Sequence, residues 1–407
     1  MALEAKLSSA PDVHLDHEKK LNPDMVLINT CTVTEQADKQ ALQLVRKLRR
    51  KHPASQIVMT GCYAELKKND LQQIPDINAV VDFKEQHDLL HTLGWTAAQS
   101  LPQHRLVSTT RTRANLKIQD GCQAYCSYCV LPYVRGKSRS VPLELIVKQA
   151  DAFVSHGHQE VVITGTHIAG YGRDFAERKR LSDLLYAIFQ AHPQLSIRVS
   201  SLEPVGLTPD FIKAVQNIPS VRPHFHVPLQ SGCDAILKSM NRKYQTKHYQ
   251  ARIDQLHNTR EAVNIGTDVI VGYPGETADQ FEETCEFIKK MPISYLHVFP
   301  YSPRPNTKSA TLKETVSPVE KKQRVKTLIG MGLKKKKAFY NRFMDQVRPV
   351  LIEKKKSSQD WLKGVSPEYL NVHVQGHDRL MTKEVDVKLT RVCHDAQGDM
   401  HFEGRVV

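Results

Sequence analysis

Six strand-like runs separated by helical stretches, with three cysteines crowded into the loop after the first run, restrict this chain more than any other feature. The runs are LKIQ at 116, EVVIT at 160, SIRVS at 196, HFHVP at 224, GTDVIVG at 266 and YLHVF at 295. Helical patterns at Leu143 to Ser155, Leu181 to Ala191 and Ala278 to Lys290 fall between them. Strands that alternate with helices build parallel sheets, so the class is α/β. Six such units predict a barrel or partial barrel whose functional face is the set of loops after the strands.

The loop after LKIQ reads Gly121-Cys122-Gln123-Ala124-Tyr125-Cys126-Ser127-Tyr128-Cys129, a C-x3-C-x2-C spacing. Three thiolates so close together can hold three corners of a 4Fe-4S cluster and leave the fourth iron open. A closed zinc site needs a fourth ligand at hand, and zinc or unligated thiols are the competing readings. The spacing resembles that of the radical S-adenosylmethionine (SAM) enzymes, and Tyr128 before the last cysteine fits it. Eight cysteines in 407 residues are too few for a disulfide scaffold. Cys233, Cys285 and Cys393 have no partner at metal spacing and read as packed thiols. His224, His226 and His297 fall in strand-like runs and read as hydrogen-bonded barrel residues.

The flanking regions differ from the centre. Residues 1–105 read as a small parallel α/β domain, with strands at Met25 to Asn29, Gln56 to Thr60 and Ala79 to Val81 and a helix at Glu35 to Lys51. Cys31 and Cys62 stand just past two of those strands, where open parallel sheets bind ligands. Residues 106–340 hold the barrel and, beyond a proline-rich connection, a basic helix from Val319 to Phe343. Residues 341–407 carry short strands at Val347 to Glu353, Tyr369 to Val374, Glu384 to Val392 and His401 to Val406, which predict a small β-barrel.

Charge is concentrated. The chain carries +14, and Tyr301 to Lys356 holds 16 cations against 4 acids, a net of +12. That favours a polyanionic partner and singles out Lys334, Lys335, Lys336 and Lys337 as candidate RNA contacts. No apolar run approaches the roughly 20 residues of a membrane span. With no secretory pattern at the N-terminus, a soluble cytoplasmic protein without membrane attachment is expected.

Eight segments in order resemble the methylthiotransferases of the radical SAM superfamily. They are NTCTVTEQADKQ at 29, MTGCYAE at 59, KIQDGCQAYCSYCVLPYVRGKSRS at 117, ITGTHIAGYG at 163, SSLEP at 200, HVPLQSG at 226, TDVIVGYPGET at 267 and HVFPYSPRPNT at 297. The forms NTCTVT, TGCYA and YSPRPNT are most similar to the branch acting on threonylcarbamoyladenosine in tRNA. The resemblance implies a methylthio group added at C2 of that adenosine at position 37, beside the anticodon. The same chemistry on isopentenyladenosine or on a ribosomal-protein aspartate, or a non-catalytic RNA-binding relative, are the alternatives.

The resemblance also implies cofactors and roles. Cys122, Cys126 and Cys129 would hold the SAM-cleaving 4Fe-4S cluster. Tyr128, Thr164, Gly165, Ser200, Glu203, Gln230 and Val271 would contact SAM, and a TRAM-like C-terminal barrel would bind RNA. A flavodoxin or ferredoxin would supply electrons to a monomeric enzyme. An auxiliary 4Fe-4S cluster, the source of sulfur, would lie at Cys31 and Cys62. The family uses a third cysteine there, from an earlier strand, and none precedes Cys31. Leu3 to Ala10 look like the stretch that follows that strand, so either Met1 is a misassigned or truncated start or the auxiliary site is incomplete.

Overall fold

A computed structural model describes residues 22–82, 111–358, 361–395 and 398–407. The stretch from Leu3 to Ala10 and the boundary expected near 105 lie outside them. The described chain forms two compact units that do not follow chain order. One gathers residues up to 82 with 121–137 and 302–312, and the other holds 111–120, 138–301 and 313–407. The cysteine loop therefore belongs with the N-terminal residues, although it interrupts the barrel in sequence.

The first unit is built on three parallel strands in the order β1 (Met25–Thr30), β2 (Gln56–Gly61) and β3 (Ala79–Val81), as the sequence predicts. Helix α1 (Glu35–Lys51) starts where the Thr34 hydroxyl accepts the Ala37 amide, with acids in its first turn and Arg49, Arg50 and Lys51 in its last. Its buried Val45 packs with Ile28, Ile57, Met59 and Val80 of the sheet. Two short helices follow β2: α2 (Cys62–Leu66) and α3 (Lys68–Gln72). The loop segment adds α4 (Leu131–Arg135).

The second unit contains six parallel strands: β4 (Ala114–Asp120), β6 (Glu160–Gly165), β7 (Ser196–Val199), β8 (His224–His226), β9 (Asn264–Val271) and β10 (Tyr295–Pro300). A two-residue β5 (Arg139–Ser140) pairs antiparallel to the edge of β4. Ladders join β4, β6 and β7, and separately β8, β9 and β10. Single bridges, Ile197 to Val221 and Ser201 to His226, span the seam between them. The result is an incomplete barrel, as expected. Helices between strands include α5 (Leu143–Ser155), α6 (Leu181–Ala191), α7 (Pro209–Asn217), α8 (Asp234–Ser239), α9 (Thr246–His257) and α10 (Ala278–Lys290). The apolar residues Leu116, Ile118, Val161, Ile163 and Ile197 are fully buried. The alternate positions Asn115, Val162 and Arg198 line a cavity on the other face of the strands.

Helix α11 (Pro318–Asn341) is capped by Ser317, whose hydroxyl accepts the Glu320 amide. Its end, at Phe339 and Tyr340, enters the core of a closed barrel of β11 (Val347–Ser358), β12 (Trp361–Val365), β13 (Asn371–Gln375), β14 (Glu384–His394) and β15 (Met400–Val406). Strand β12 was not expected, because Lys363 and Gly364 interrupt its apolar pattern. Pairing with β11 and β13 on both sides makes it a strand. The expected strand start at Tyr369 shifts to Asn371, because Tyr369 adopts a left-handed conformation with φ +67°.

Candidate functional site

The cysteine loop begins at a corner that only glycine fits. Gly121 has φ +78°, and a Cβ there would stand 2.0 Å from the Lys137 carbonyl oxygen. The Cys122 amide donates to Gly136 O at 3.0 Å, closing the loop on residues 136–137. Within it the Cys129 amide donates to Cys126 O at 3.0 Å, and the Ala124 amide points at Cys122 Sγ at 3.5 Å. Cys122 is buried, whereas Cys126 and Cys129 are half-buried. Three thiols from one backbone turn, one already receiving an N–H, suit a thiolate-held cluster whose sulfurs accept hydrogen bonds. Tyr125, φ +48° between two of the cysteines, is half exposed and meets the exposed Tyr133 edge to face.

A second corner of the same design lies in the same unit. Thr30 of β1 pairs with Gly61 of β2, so Cys31 and Cys62 follow two strand ends that lie side by side. Gly61 has φ +96°, and a Cβ would come within 2.4 Å of Asn29 Oδ1 and Thr30 O. Cys62 then opens α2 and packs with Val130 and Val134, the first of which directly follows Cys129. Both expected cysteine sets thus share one compact unit.

Residues 302–312 tie the two corners together, a role that sequence reasoning missed. The buried Arg304 donates to Thr32 Oγ1 at 2.6 Å and pairs with Asp38 at 2.5 Å, while Ser302 Oγ accepts the Glu35 amide. Seven residues on, the Ser309 amide donates to Ser127 O at 2.8 Å, inside the cysteine loop. The stretch reads in sequence as a proline-rich connection. Arg304, a charged residue set between Pro303 and Pro305, was the available signal.

The expected SAM contacts fall in the second unit, on the carboxyl ends of successive strands. Thr164 and Gly165 end β6, Ser200 follows β7, Gln230 follows β8 and Val271 ends β9. Gln230 has φ +70° and exchanges backbone hydrogen bonds with Asp268 and Ile270. Glu203 is already engaged, by His167 Nε2 at 3.0 Å and Arg242 Nη1 at 3.1 Å. Burial alone would raise its pKa, but those two partners outweigh it and hold the carboxyl down at about 2. Tyr128 lies with the cysteine loop in the first unit.

A polar row crosses the barrel interior below this edge. His226 Nε2 lies 2.8 Å and His297 Nδ1 3.3 Å from Asp268 Oδ1. Burial opposes the Asp268 charge, yet hydrogen bonds from both rings bring its pKa to about 2. Tyr295 Oη reaches His224 Nε2 at 2.9 Å and His226 Nδ1 at 3.3 Å. Gly266 makes room for it, since a Cβ there would lie 1.9 Å from the Tyr295 ring. All three histidines are hydrogen-bonded barrel residues, as the sequence suggests. Cys233 and Cys285 are buried thiols, whereas Cys393 is half-buried beside His401 and Glu403.

The lysine run does not act as one surface. Lys335 turns inward and donates to the Lys289 and Met291 carbonyls at 3.2 and 2.8 Å, capping the end of α10, and burial lowers its pKa. Lys336 lies over the Tyr340 ring, leaving Lys334 and Lys337 exposed.

Comparison with known proteins decides the family. Residues 116–288 match the Radical SAM superfamily, and residues 6–82 match the Uncharacterized protein family UPF0004. The threonylcarbamoyladenosine tRNA methylthiotransferase MtaB of Bacillus subtilis (strain 168) is 32% identical over 386 residues, 90% of this chain and 86% of that protein. The MtaB of Aquifex aeolicus (strain VF5) is 34% identical over 91% of this chain and 90% of its own length. The chain belongs to the radical SAM methylthiotransferase family. Other members are also similar, among them the tRNA-2-methylthio-N(6)-dimethylallyladenosine synthase of Endomicrobium trichonymphae, 31% identical over 90% of this chain and 88% of that protein. The fold is shared with the radical SAM methyltransferase TsrM of Kitasatospora setae, at a TM-score of 0.53 and 15% identity over 72% of this chain and 67% of that one. A 4Fe-4S cluster and SAM are the cofactors that membership in this family implies. No helix among the described residues is long and apolar enough to cross a membrane.

Proposed function

We propose that this protein adds a methylthio group to C2 of N6-threonylcarbamoyladenosine at position 37 of tRNA. The observation that carries the reading is a match along about nine-tenths of the chain to several relatives named for that nucleoside, together with the Cys122, Cys126 and Cys129 loop. When bound there, the cluster supplies the electron that splits SAM. The chain's own residues then bind, orient and exclude water. Thr164, Gly165, Ser200, Gln230 and Val271 hold SAM along the strand ends, and Glu203 orients His167 and Arg242 beside it. No side-chain base is asked to ionise the adenine C2–H, which has no usable acidity.

Cys31 and Cys62 would hold the auxiliary cluster. Their placement at adjacent strand ends, in the unit that carries the first loop, supports that role. Residues 341–407 act as the TRAM-like RNA-binding domain, beyond an N-terminal domain of residues 1–105 and a barrel of residues 106–340. Lys334 and Lys337 supply phosphate contacts, and Tyr125 and Tyr133 offer faces on which an unstacked base can rest. A flavodoxin or ferredoxin reduces the enzyme, which works as a cytoplasmic monomer.

A second reading, action on dimethylallyladenosine, is favoured by relatives so named at 31 and 32% identity. Mass spectrometry of tRNA nucleosides from a deletion strain, with and without the gene restored, separates the two. Loss of methylthiolated threonylcarbamoyladenosine, with its precursor accumulating, is expected. Loss of the dimethylallyl product instead would overturn the proposal.

A further inference from the structure

The second unit encloses a cavity of about 520 Å³ inside the strands, within the range of small-molecule sites. Its rim at Ser200 and His226 lies at the carboxyl ends of β7 and β8. Its floor comes from the small C-terminal barrel, through Glu353 and Tyr369.

The floor is built, not incidental. Tyr369 is held in its left-handed conformation by a turn in which its amide donates to Ser366 O at 2.9 Å. Arg198 donates to Ser366 O and Pro367 O, and the Asn264 side chain donates to Glu368 O at 2.6 Å. Such strain persists only where the surroundings over-determine it. The Tyr369 ring stacks on His224 at 4.3 Å, with the Arg198 and Arg113 guanidiniums 4.9 and 5.3 Å from its centroid.

The lining is cationic and rich in donors. Arg198 spends its hydrogen bonds on buried Glu160 and the floor carbonyls, and Arg113 is paired with Glu353 at 2.7 Å. Three lining side chains have no partner among the described residues: the exposed Arg111 guanidinium just before the amino end of β4, the Asn115 amide and the Ser200 hydroxyl. A fourth vacancy is deeper. Ionised Asp268 can only accept, which places a proton on His226 Nε2. In its neutral form that ring offers Nδ1 to the Tyr295 hydroxyl, and His224 Nε2–H donates to the Tyr295 oxygen. This leaves His224 Nδ1 buried behind the cavity wall with no partner among the described residues. The cavity thus presents cationic and polar groups suited to a ligand with an anionic end.

We infer that this cavity is the subsite for the N6 substituent of the substrate, with Arg111 and Asn115 taking its carboxylate. The inference rests on the proposed function and names the residues that would choose the nucleoside. A threonylcarbamoyl group carries a carboxylate, a hydroxyl and N–H groups, whereas a dimethylallyl group has no polar atom and would pair with none of these groups. Sites built to hydrogen-bond a substrate reject analogues lacking the group far more strongly than apolar pockets reject an added one. The C-terminal barrel therefore completes the substrate site as well as serving RNA.

The test uses the full-length, anaerobically reconstituted enzyme with tRNA bearing threonylcarbamoyladenosine or its methyl ester. A charge-assisted hydrogen bond of ordinary strength predicts a KM about 10- to 100-fold lower for the acid than for the ester. Arg111→Ala and Asn115→Ala should erode that preference, and Arg111→Lys should restore part of it. The ester comparison on the unaltered enzyme needs no variant to fold. Equal KM for acid and ester would overturn the subsite while leaving the proposed function standing. Lost SAM affinity in Arg111→Ala, measured by equilibrium binding, would also overturn it, because the anion held would then be the SAM carboxylate. Turnover of dimethylallyl tRNA but not of threonylcarbamoyl tRNA would overturn the proposed function itself.

Discussion

Two corners of the molecule place a cysteine directly after a glycine at the end of a parallel strand, and they differ in where the remaining thiols come from. At Gly121-Cys122 the other two cysteines follow within seven residues on the same loop. At Gly61-Cys62 the partner, Cys31, comes from a neighbouring strand, brought alongside by the Thr30 to Gly61 register. The local corner is organised by its own backbone turn. The distributed corner depends on sheet pairing and on a side chain from far along the chain, Arg304.

That contrast predicts unequal sensitivity. Arg304→Met would leave the half-buried Asp38 without its cation and held only by the Thr32 hydroxyl, costing about 3 kcal/mol in urea denaturation. It should loosen the Cys31 corner before the Cys122 loop, read as faster modification of Cys31 by a thiol reagent. Equal acceleration at both would break the distinction.

The Glu203 pair gives a control outside both corners. With a folded-state pKa of about 2 against an ordinary 4.5, its ionised form contributes about 3 kcal/mol above pH 5. Because the folded value is depressed, that contribution is lost as pH falls from about 4.5 towards 2. The stability gap between the unaltered protein and Glu203→Gln should close over that window, and a gap that persists at pH 2 would contradict the ion-pair account.

Gly121→Ala and Gly61→Ala should each cost about 2 to 3 kcal/mol, since each forces a Cβ against backbone at positive φ. Only Gly121→Ala should reduce the iron held by the Cys122 loop, and identical iron loss in both would merge the two corners into one site.

The lysine run gives the smallest effect. Lys334→Ala with Lys337→Ala should flatten the log-log salt dependence of tRNA binding by about 1.4 to 1.8 units. Lys335→Ala should leave that slope alone and cost about 1 kcal/mol of stability. A slope change from Lys335 would mean that its contact with the end of α10 does not persist in solution.

What the sequence made legible follows the same division between local and distributed. Strand and helix alternation, the C-x3-C-x2-C loop and the placement of Thr164, Ser200, Gln230 and Val271 at or just past the carboxyl ends of successive strands are local patterns, and all could be read. Arg304 and Thr32 meet across 272 positions, and Tyr369 meets His224 only because the small barrel closes the strands from below. No window of sequence carries such pairings. The four lysines were read together because they are consecutive, yet a helix turns each by about 100°, so they could not share a face. Strand β12 was hidden by Gly364 and became a strand through neighbours on both sides.

The central claim is that the two corners do different jobs, and one assay addresses it directly. Reconstituted Cys122→Ala/Cys126→Ala/Cys129→Ala and Cys31→Ala/Cys62→Ala variants are incubated with SAM, reductant and tRNA, and 5′-deoxyadenosine and methylthiolated nucleoside are measured in the same samples. The triple variant should form neither product, and the double variant should form 5′-deoxyadenosine without methylthiolated nucleoside. A double variant that still methylthiolates tRNA, or a triple variant that still cleaves SAM, would contradict the account.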